Sequence, residues 1–451
     1  MPWKSGKDGN ALSSEHQETG HGWQADHPLR HVLHNEIHAR PYEELAAPLR
    51  ISHLAMFSGH EAAAEDRAAV TALCRRFGVA GPDGEATHLS ADFGPFRLKW
   101  ERRTEFSTYT VYVPGNGPDP FHQTAIQAVP GEWLRDLLGQ RLAALHIFLA
   151  ASDAAGPEPA EVFGADPLVG SRVSDGAARV WTDFRIHEDG FSRFLVQDEG
   201  LGRMQAGRVI QRLLELESYR MMALLAFPLA RDLHGELAEL EERLAALNRR
   251  LTGAHGLQDE RSLLRSLSAQ AAEVERVGNT ADYRLNASGA YHDLVRRRIE
   301  ELREELIPGC QTIRGFLHRR LEPAMRTCRS AAERQESLSR RIARTGELLQ
   351  TRVNVGLDER NRDLLASMDR RARLQLRLQQ TVEGLSVMAI SYYATSLLHY
   401  LLSGAADAGA PVRPAPITAI AVPFVVAAVW LGIRAIRVRV TRRKPAPEDS
   451  P

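Results

Sequence analysis

From Pro48 to about Gln197, hydrophobic and polar positions alternate or gather in short runs: LRISHLAMF, THLSADF, FRLKWERR, STYTVYVP, LAALHIFLA, ARVWTDFRI and FSRFLVQ, parted by Gly, Pro and Asp-rich turns. A period of two between turn residues predicts β-strands. Two intervening stretches, EAAAEDRAAVTALCRRF and GEWLRDLLGQ, follow the longer helical period. Strands with helices between some of them predict a mixed α/β (α+β) domain over residues 27–200.

After Gly202 the texture changes: turn pairs almost vanish and charged residues interleave with leucines. Leucines at 229, 233, 237, 240, 244, 247 and 251 mostly alternate four and three apart, the seam of a coiled coil or long helical hairpin. A second such run, HDLVRRRIEELREEL, ends at Pro308-Gly309. Pro308 and Pro323 are each expected to break a helix, because proline lacks a backbone N–H and obstructs the turn before it. A last helix is expected to begin near Asp358 and run through SYYATSLLHYLL. Together these features predict a helical, coiled-coil-like stalk over 201–384.

Residues 385–402 and 417–433 carry no formal charge, and each is close to the roughly 17–25 residues that cross a bilayer core. Arg370, Arg371, Arg373 and Arg377 precede the first; Arg434, Arg437, Arg439, Arg442, Arg443 and Lys444 follow the second; the loop between has only Arg413. Because basic flanks stay on the cytoplasmic side, the expected layout is a hairpin. It comprises a transmembrane helix over 385–403, an outer loop over 404–416, a second transmembrane helix over 417–436 and a basic tail over 437–451. The chain is thus expected to be a multi-pass protein of the bacterial inner membrane, with both termini cytoplasmic and the lipid bilayer as partner.

Within the first span, Ser391, Thr395, His399 and Ser403 recur every fourth residue. Such a stripe reads either as the lining of a pore or as small-residue packing with interhelical hydrogen bonds. Two spans shield it poorly, so self-association through stalk and spans into a homo-oligomer is expected.

Composition narrows the partners further. The 451 residues exceed one compact core. Lys+Arg and Asp+Glu are both 57, so no basic excess points to nucleic acid. Cys74, Cys310 and Cys328 are far apart and form no CxxC pair, which fits neither a disulfide framework nor a zinc knuckle and suits a reducing compartment. Residues 1–26 are polar and glycine-rich, without the apolar run of a signal peptide, and read as a disordered lead-in.

Catalytic signatures are missing from the sequence: it contains no GxxxxGK[ST], GxSxG or HExxH. EGLGRMQAG, residues 199–207, spaces its glycines as GxGxxxxG and reads as a flexible joint rather than a nucleotide cradle. HPLRHVLHNEIHAR, residues 27–40, puts His27, His31, His34 and His38 within about 60° of one another on a helical wheel, opposite Leu29, Val32, Leu33 and Ile37. Those histidines belong to the solvated side of an amphipathic helix capped at Asp26 or His27. Glu36 instead points into the apolar half, where a carboxylate needs a partner such as Arg30 or Arg40. Arg30, Glu36, His38 and Arg40 form a candidate structural or ligand motif, with an ion pair favoured over catalysis. No cofactor is assigned, and a divalent cation stays open.

HPLRHVLHNEIHARP, LLELESYRMMALLAFPLA (213–230), RVNVGLDERNRDLLASMDRRARLQLRLQQTVEGLSVMAISYYATSLL (352–398) and VPFVVAAVW together resemble a bacterial membrane-protein family of unknown function, domain of unknown function 3422. The resemblance runs from His27 to about Arg443. In the opening motif it covers His27, Pro28, Arg30, Glu36, His38, Ala39, Arg40 and Pro41, but not His31 or His34. The layout is also similar to CorA-type magnesium channels, which implies a homo-oligomer such as a pentamer and a cation path along Ser391, Thr395 and His399. Those channels carry Gly-Met-Asn at the outer end of the first span, where LLSGAADAG shares only a glycine. Two functions are therefore expected: movement or sensing of a cation in a CorA-like oligomer, or a membrane-anchored scaffold or regulatory protein whose α/β domain binds a partner or small ligand. An enzyme using Glu36 and His38 ranks behind both.

Overall fold

A computed structural model describes residues 27–30, 34, 42–115, 119–151, 157–164, 168–254, 256–408 and 413–441. The chain forms two compact units: Met1–Ala245 with Ala269–Ile342, and Ala246–Ser268 with Ala343–Pro451.

The first unit is built on a nine-stranded mixed sheet. Its strands are β1 (Leu49–Phe57), β2 (His88–Asp92), β3 (Arg97–Arg102), β4 (Phe106–Pro114), β5 (Gln140–Ala150), β6 (Val169–Val173), β7 (Ala178–Thr182), β8 (Ser192–Asp198) and β9 (Glu305–Leu306). They lie in the order β2-β3-β4-β1-β5-β8-β7-β6-β9. All neighbours are antiparallel except β5 and β8. The seven alternating runs of the sequence fall on seven of these strands. β6 was not expected, because VGSRV is short and holds a glycine; it is fixed by its hairpin with β7, whose turn Ser174-Asp175-Gly176 takes positive φ at all three residues.

Period-two alternation sends successive side chains of each strand to opposite faces. On one face Leu54, Leu98, Trp100, Tyr109 and Val111 form the main apolar core with Val70, Leu73 and Cys74 of α1 (Ala63–Phe77), and with Trp133 of the short α2 (Gly131–Arg135). On the other face the alternate residues meet α4 (Arg203–Leu224), which follows the one-and-a-half-turn α3 (Pro159–Phe163) in the chain. That face is polar at β3 and β4 and apolar at its centre, where Ile51, Leu145, Ile147, Leu149, Phe194 and Val196 are buried.

Three long helices complete the chain before the last one: α5 (Ala226–Thr252), α6 (Leu257–Glu301) and α7 (Ile313–Asp407). Of the leucines in the predicted seam, Leu233, Leu237, Leu240 and Leu244 of α5 are buried, and Leu229, Leu247 and Leu251 are half-buried. Val274, Val277, Ala281 and Leu285 of α6 and Leu317, Leu321, Cys328 and Leu338 of α7 are buried at like spacing. By compactness the sheet shares its unit with α4, with α5 as far as Ala245, with α6 from Ala269 and with α7 as far as Ile342.

Two sequence expectations are corrected here. The run expected to end at Pro308 already stops at Glu301, ahead of β9; Pro323 sits inside α7, and the helix expected from Asp358 is only the later part of that single 95-residue element. Pro323 is exposed, so water can take up the freed carbonyl upstream, while Leu321, Ala324 and Met325 beside it are buried and hold the helix in place. The stretch 199–207 is not a flexible joint. A Cβ on Gly207 would overlap the carbonyl oxygen of Glu43, so the glycine marks a close backbone approach between α4 and the segment entering β1, reinforced by Leu45 N–H donating to Arg203 O at 3.1 Å.

The outer edge of β6 is closed late in the chain. Ser171 and Arg172 pair with Leu306 and Glu305 of β9, and Gly170 N–H donates to Gln311 O at 2.9 Å. Ser171 Oγ then accepts the N–H of Ile313 at 3.1 Å, and Glu304 accepts that of Arg314 at 3.0 Å, which satisfies the first free amides of α7.

In the second unit, the later part of α7 and α8 (Pro414–Thr441) are, among the described residues, the two helices long and apolar enough to cross a membrane. Pro423 also lies inside α8.

Candidate functional site

The densest chemistry among the described residues lies between the polar face of the sheet and α4. Lys99 and Glu101 of β3, Thr108, Thr110 and Tyr112 of β4 and His53 of β1 face Gln211, Glu215, Ser218 and Tyr219 of α4, around a cavity of about 20 Å3. That is room for about one water molecule, and far below the roughly 300 Å3 at which ligand pockets begin.

Charges here are paired from several elements. Lys99 and Glu101, only 6% and 7% exposed, stand 3.5 Å apart, and Lys99 Nζ donates to Gln211 at 3.2 Å. Arg103 lies 3.6 Å from both Glu101 and Glu215. Glu215 also meets Arg298 of α6, which in turn holds Glu301 at 2.9 Å, and Glu301 accepts from Arg212 at 3.3 Å. The network thus fastens helices α4 and α6 to the strands. A second branch joins Arg284 of α6 to Glu105 at 2.7 Å.

His53 closes the inner end of the site. Ser218 Oγ donates to Leu214 O at 2.9 Å, so it accepts from His53 Nε2 at 3.0 Å; Nδ1 is then the acceptor for the Thr110 hydroxyl at 2.8 Å. Burial, with Arg103 and Lys99 adding to it, pulls the His53 pKa down to about 3. The ring is neutral at pH 7 and serves as a fixed hydrogen-bonding bridge between sheet and helix.

A second constellation lies on the apolar face. Ser52 Oγ lies 2.8 Å from His146 Nδ1, and His146 Nε2 lies 3.7 Å from Asp189 Oδ2. The composition is that of a nucleophilic triad, but the setting is not. Ser52 is 0% exposed and its oxygen already accepts the Ile126 N–H at 3.0 Å. The His146 ring is stacked on Phe191 with centroids 3.9 Å apart, and burial lowers its pKa to about 4 despite Asp189. Asp66 is engaged in the same manner: one of its oxygens accepts from Ser107 at 2.6 Å, Arg102 at 2.8 Å and Ser58 at 2.9 Å. Ser52, His146 and Asp66 are buried and hold the domain together.

A more open feature lies at the other end of the sheet. A cleft of about 960 Å3 is lined by Trp181, Arg179, Gln197, Glu199, Leu168 and Cys310 among others. The Trp181 indole N–H donates to Gln197 at 3.4 Å and Arg179 Nε donates to Glu199 at 2.6 Å, so an apolar ring and an ion pair share one opening.

The sequence singled out other residues. Arg30 is exposed and helical, directly after the turn of Pro28 and Leu29 that follows His27, whose Nδ1 accepts the Leu29 N–H at 3.1 Å; Glu36, His38 and Arg40 lie outside the described residues. Ser391 is buried and Thr395 and Ser403 are half-buried, while His399 Nδ1 lies 3.2 Å from Thr418 Oγ1 of α8. Thr418 donates to Pro414 O at 2.7 Å, so it is the acceptor for His399. No group of three or more His, Cys, Asp or Glu able to hold a metal occurs among the described residues. The buried network was missed because Lys99, Glu101 and Thr110 occupy the alternate positions that ordinarily face water; FRLKWERR gives no sign that a helix a hundred residues downstream covers them.

A family model described as a protein of unknown function (DUF3422) matches residues 25–440. No curated protein and no solved structure matches the chain, so the likeness to CorA-type channels gains no support from either.

Proposed function

The chain belongs to the DUF3422 family, which brings no activity with it, and on its geometry we propose a membrane-anchored binding protein of scaffold or regulatory type. The observation that carries this is the apolar pair in the second unit. Leu397, Tyr400 and Leu401 of α7 and Ile420, Phe424 and Leu431 of α8 are all exposed, a continuous apolar surface that water disfavours and a bilayer accepts. Basic residues crowd the flanks on one side, against the single Arg413 in the loop, which supports a multi-pass hairpin with both termini in the cytoplasm.

The first unit supplies the binding part. Its buried serines, histidines and carboxylates are engaged in fixing the fold, whereas the Trp181 cleft is of ligand size and combines an aromatic floor with polar groups. A small molecule with a flat apolar part and a hydrogen-bonding edge suits that lining.

Carbonate washing of membranes from expressing cells tests the anchor: the protein is expected to stay in the membrane fraction, and release into the wash would refute it. Ala405→Cys is expected to react with an impermeant maleimide in intact cells, whereas Cys placed before residue 385 is not. Replacing residues 385–436 by an unrelated membrane hairpin should leave the binding function in place.

The second reading, a cation path along Ser391, Thr395 and His399, has less behind it, since His399 lies within hydrogen-bond distance of Thr418 on the neighbouring helix and Ser391 is buried. Its test is magnesium uptake by proteoliposomes. Uptake no faster than in empty liposomes is expected; uptake that falls in Ser391→Leu with Thr395→Leu would reinstate the path.

A further inference from the structure

Between residues 357 and 390, α7 carries no buried side chain. Upstream, Ile342, Leu349 and Val353 are buried, and the start of α6 lies against the same helix: the Leu267 and Leu257 side chains approach Gly346 and Gly356. Past Gly356 that cover ends, but the pattern that used it does not. Leu357, Asn361, Leu364, Met368, Arg371, Gln375, Leu378, Val382 and Leu385 follow one another four and three apart, the heptad spacing of a helix seam. On a straight helix Leu357, Leu364, Met368, Leu378 and Val382 fall within about 80° of one another, while Asp358, Arg362, Asp369, Arg373 and Arg377 spread over the far side. Yet Leu364, Met368, Leu378 and Val382 are 62%, 65%, 70% and 58% exposed.

We propose that this stripe, Leu357 to Val382, is covered by the same stripe of a second copy of the chain, the two α7 helices running parallel and in register between the helical tip of the second unit and the bilayer. The stripe continues an apolar interface already formed within the chain, so the surface that begins as an intramolecular seam goes on as an intermolecular one. Its polar members fix the register. Asn361 and Gln375 lie at seam positions, where an amide meets its own copy when two helices are aligned and faces an apolar side chain when they slip. Arg371 has a stem long enough to cover apolar surface while its guanidinium reaches out to water. The parallel direction rests on the membrane reading above: two chains whose spans enter one bilayer from one side present α7 in the same sense.

Disulfide mapping on the full-length protein in native membranes tests this, in a Cys310→Ser background because Cys74 and Cys328 are buried. Leu364→Cys, Met368→Cys and Leu378→Cys are expected to give covalent dimers under mild oxidation, several-fold more than Arg362→Cys and Arg373→Cys on the far side. These positions are exposed, so the substitutions leave the fold intact. Equal crosslinking on both faces, or none, in protein that resists carbonate extraction overturns the pairing and leaves the anchor standing. Stripe-specific dimers in protein that carbonate releases would keep the pairing and remove the anchor. Protection of Met368→Cys from a soluble maleimide without any dimer assigns the stripe to lipid and also overturns the proposal.

Discussion

His399 Nδ1 lies 3.2 Å from the hydroxyl of Thr418, so the two apolar helices of the second unit are tied by a hydrogen bond between side chains that lipid would leave unsatisfied. Interhelical bonds of this kind in membranes contribute about 0.6 kcal/mol on average. His399→Leu and Thr418→Val are each expected to lower stability in detergent by about that amount, with the double variant no worse than either single one. Thermal unfolding of the four proteins checks it, and additive losses would show that the bond is not formed.

Ser52 makes a second case where chemistry is suggested and sealed off. Ser52→Ala leaves the Ile126 N–H and His146 without their partner, at about 1–3 kcal/mol. Denaturant unfolding should show that loss, and a fluorophosphonate probe should leave Ser52 of the native protein unlabelled. A Ser52 adduct would identify a nucleophile.

Buried histidines set a pH dependence, His53 and His146 most strongly, with burial shifting His292 of α6 in the same direction. His53 and His146 ordinarily titrate near 6.5, and in the fold near 3 and 4. Their folded values are depressed, so the unfolded chain binds more protons below pH 6.5 and stability falls as pH falls. Between pH 6 and pH 4 each contributes a slope of about 1.4 kcal/mol per pH unit at most, and above pH 7 neither contributes a slope. Unfolding midpoints at pH 7, 6 and 5 should drop for the wild type and drop less steeply for His146→Gln.

The Lys99 and Glu101 pair predicts an asymmetry between single and double substitution. Lys99→Met leaves the buried Glu101 to Arg103 alone and is expected to cost about 1–3 kcal/mol, as is Glu101→Leu, which takes a carboxylate from Lys99, whereas the two substitutions together should recover part of the loss. Urea midpoints of the three variants decide this.

Gly207→Ala is the sharpest packing test, since the added methyl has no space beside the Glu43 carbonyl. A loss of about 1–3 kcal/mol is expected from forcing the backbones apart. A neutral substitution would mean that α4 does not sit against residue 43.

Strand positions were legible because alternation and turn residues are local: LRISHLAMF could only be placed as β1, and FSRFLVQ as β8. The exposed apolar spans were legible for the same reason. What escaped was everything set by partners distant in sequence. Pro323 stays helical because Leu321 and Met325 are buried against other helices, and β9 is a strand only because Ser171 and Arg172 offer it an edge. The polar site between sheet and α4 is the largest omission: Lys99 and Glu101 carry the signature of a wet face, and only the distant residues Gln211 and Glu215 keep them dry. The motif around Arg30 was read correctly as to its family and lies largely outside the described residues.

The edge closed by Glu305 and Leu306 has a consequence for synthesis. β6 is made at residue 169, but its cap emerges only after α4, α5 and α6 have left the ribosome, some one hundred and thirty residues later. Throughout that interval the nascent sheet carries a bare strand that any extended segment could pair with. A chain cut short before residue 305 keeps that edge permanently, so truncated products should aggregate even though eight of the nine strands are present.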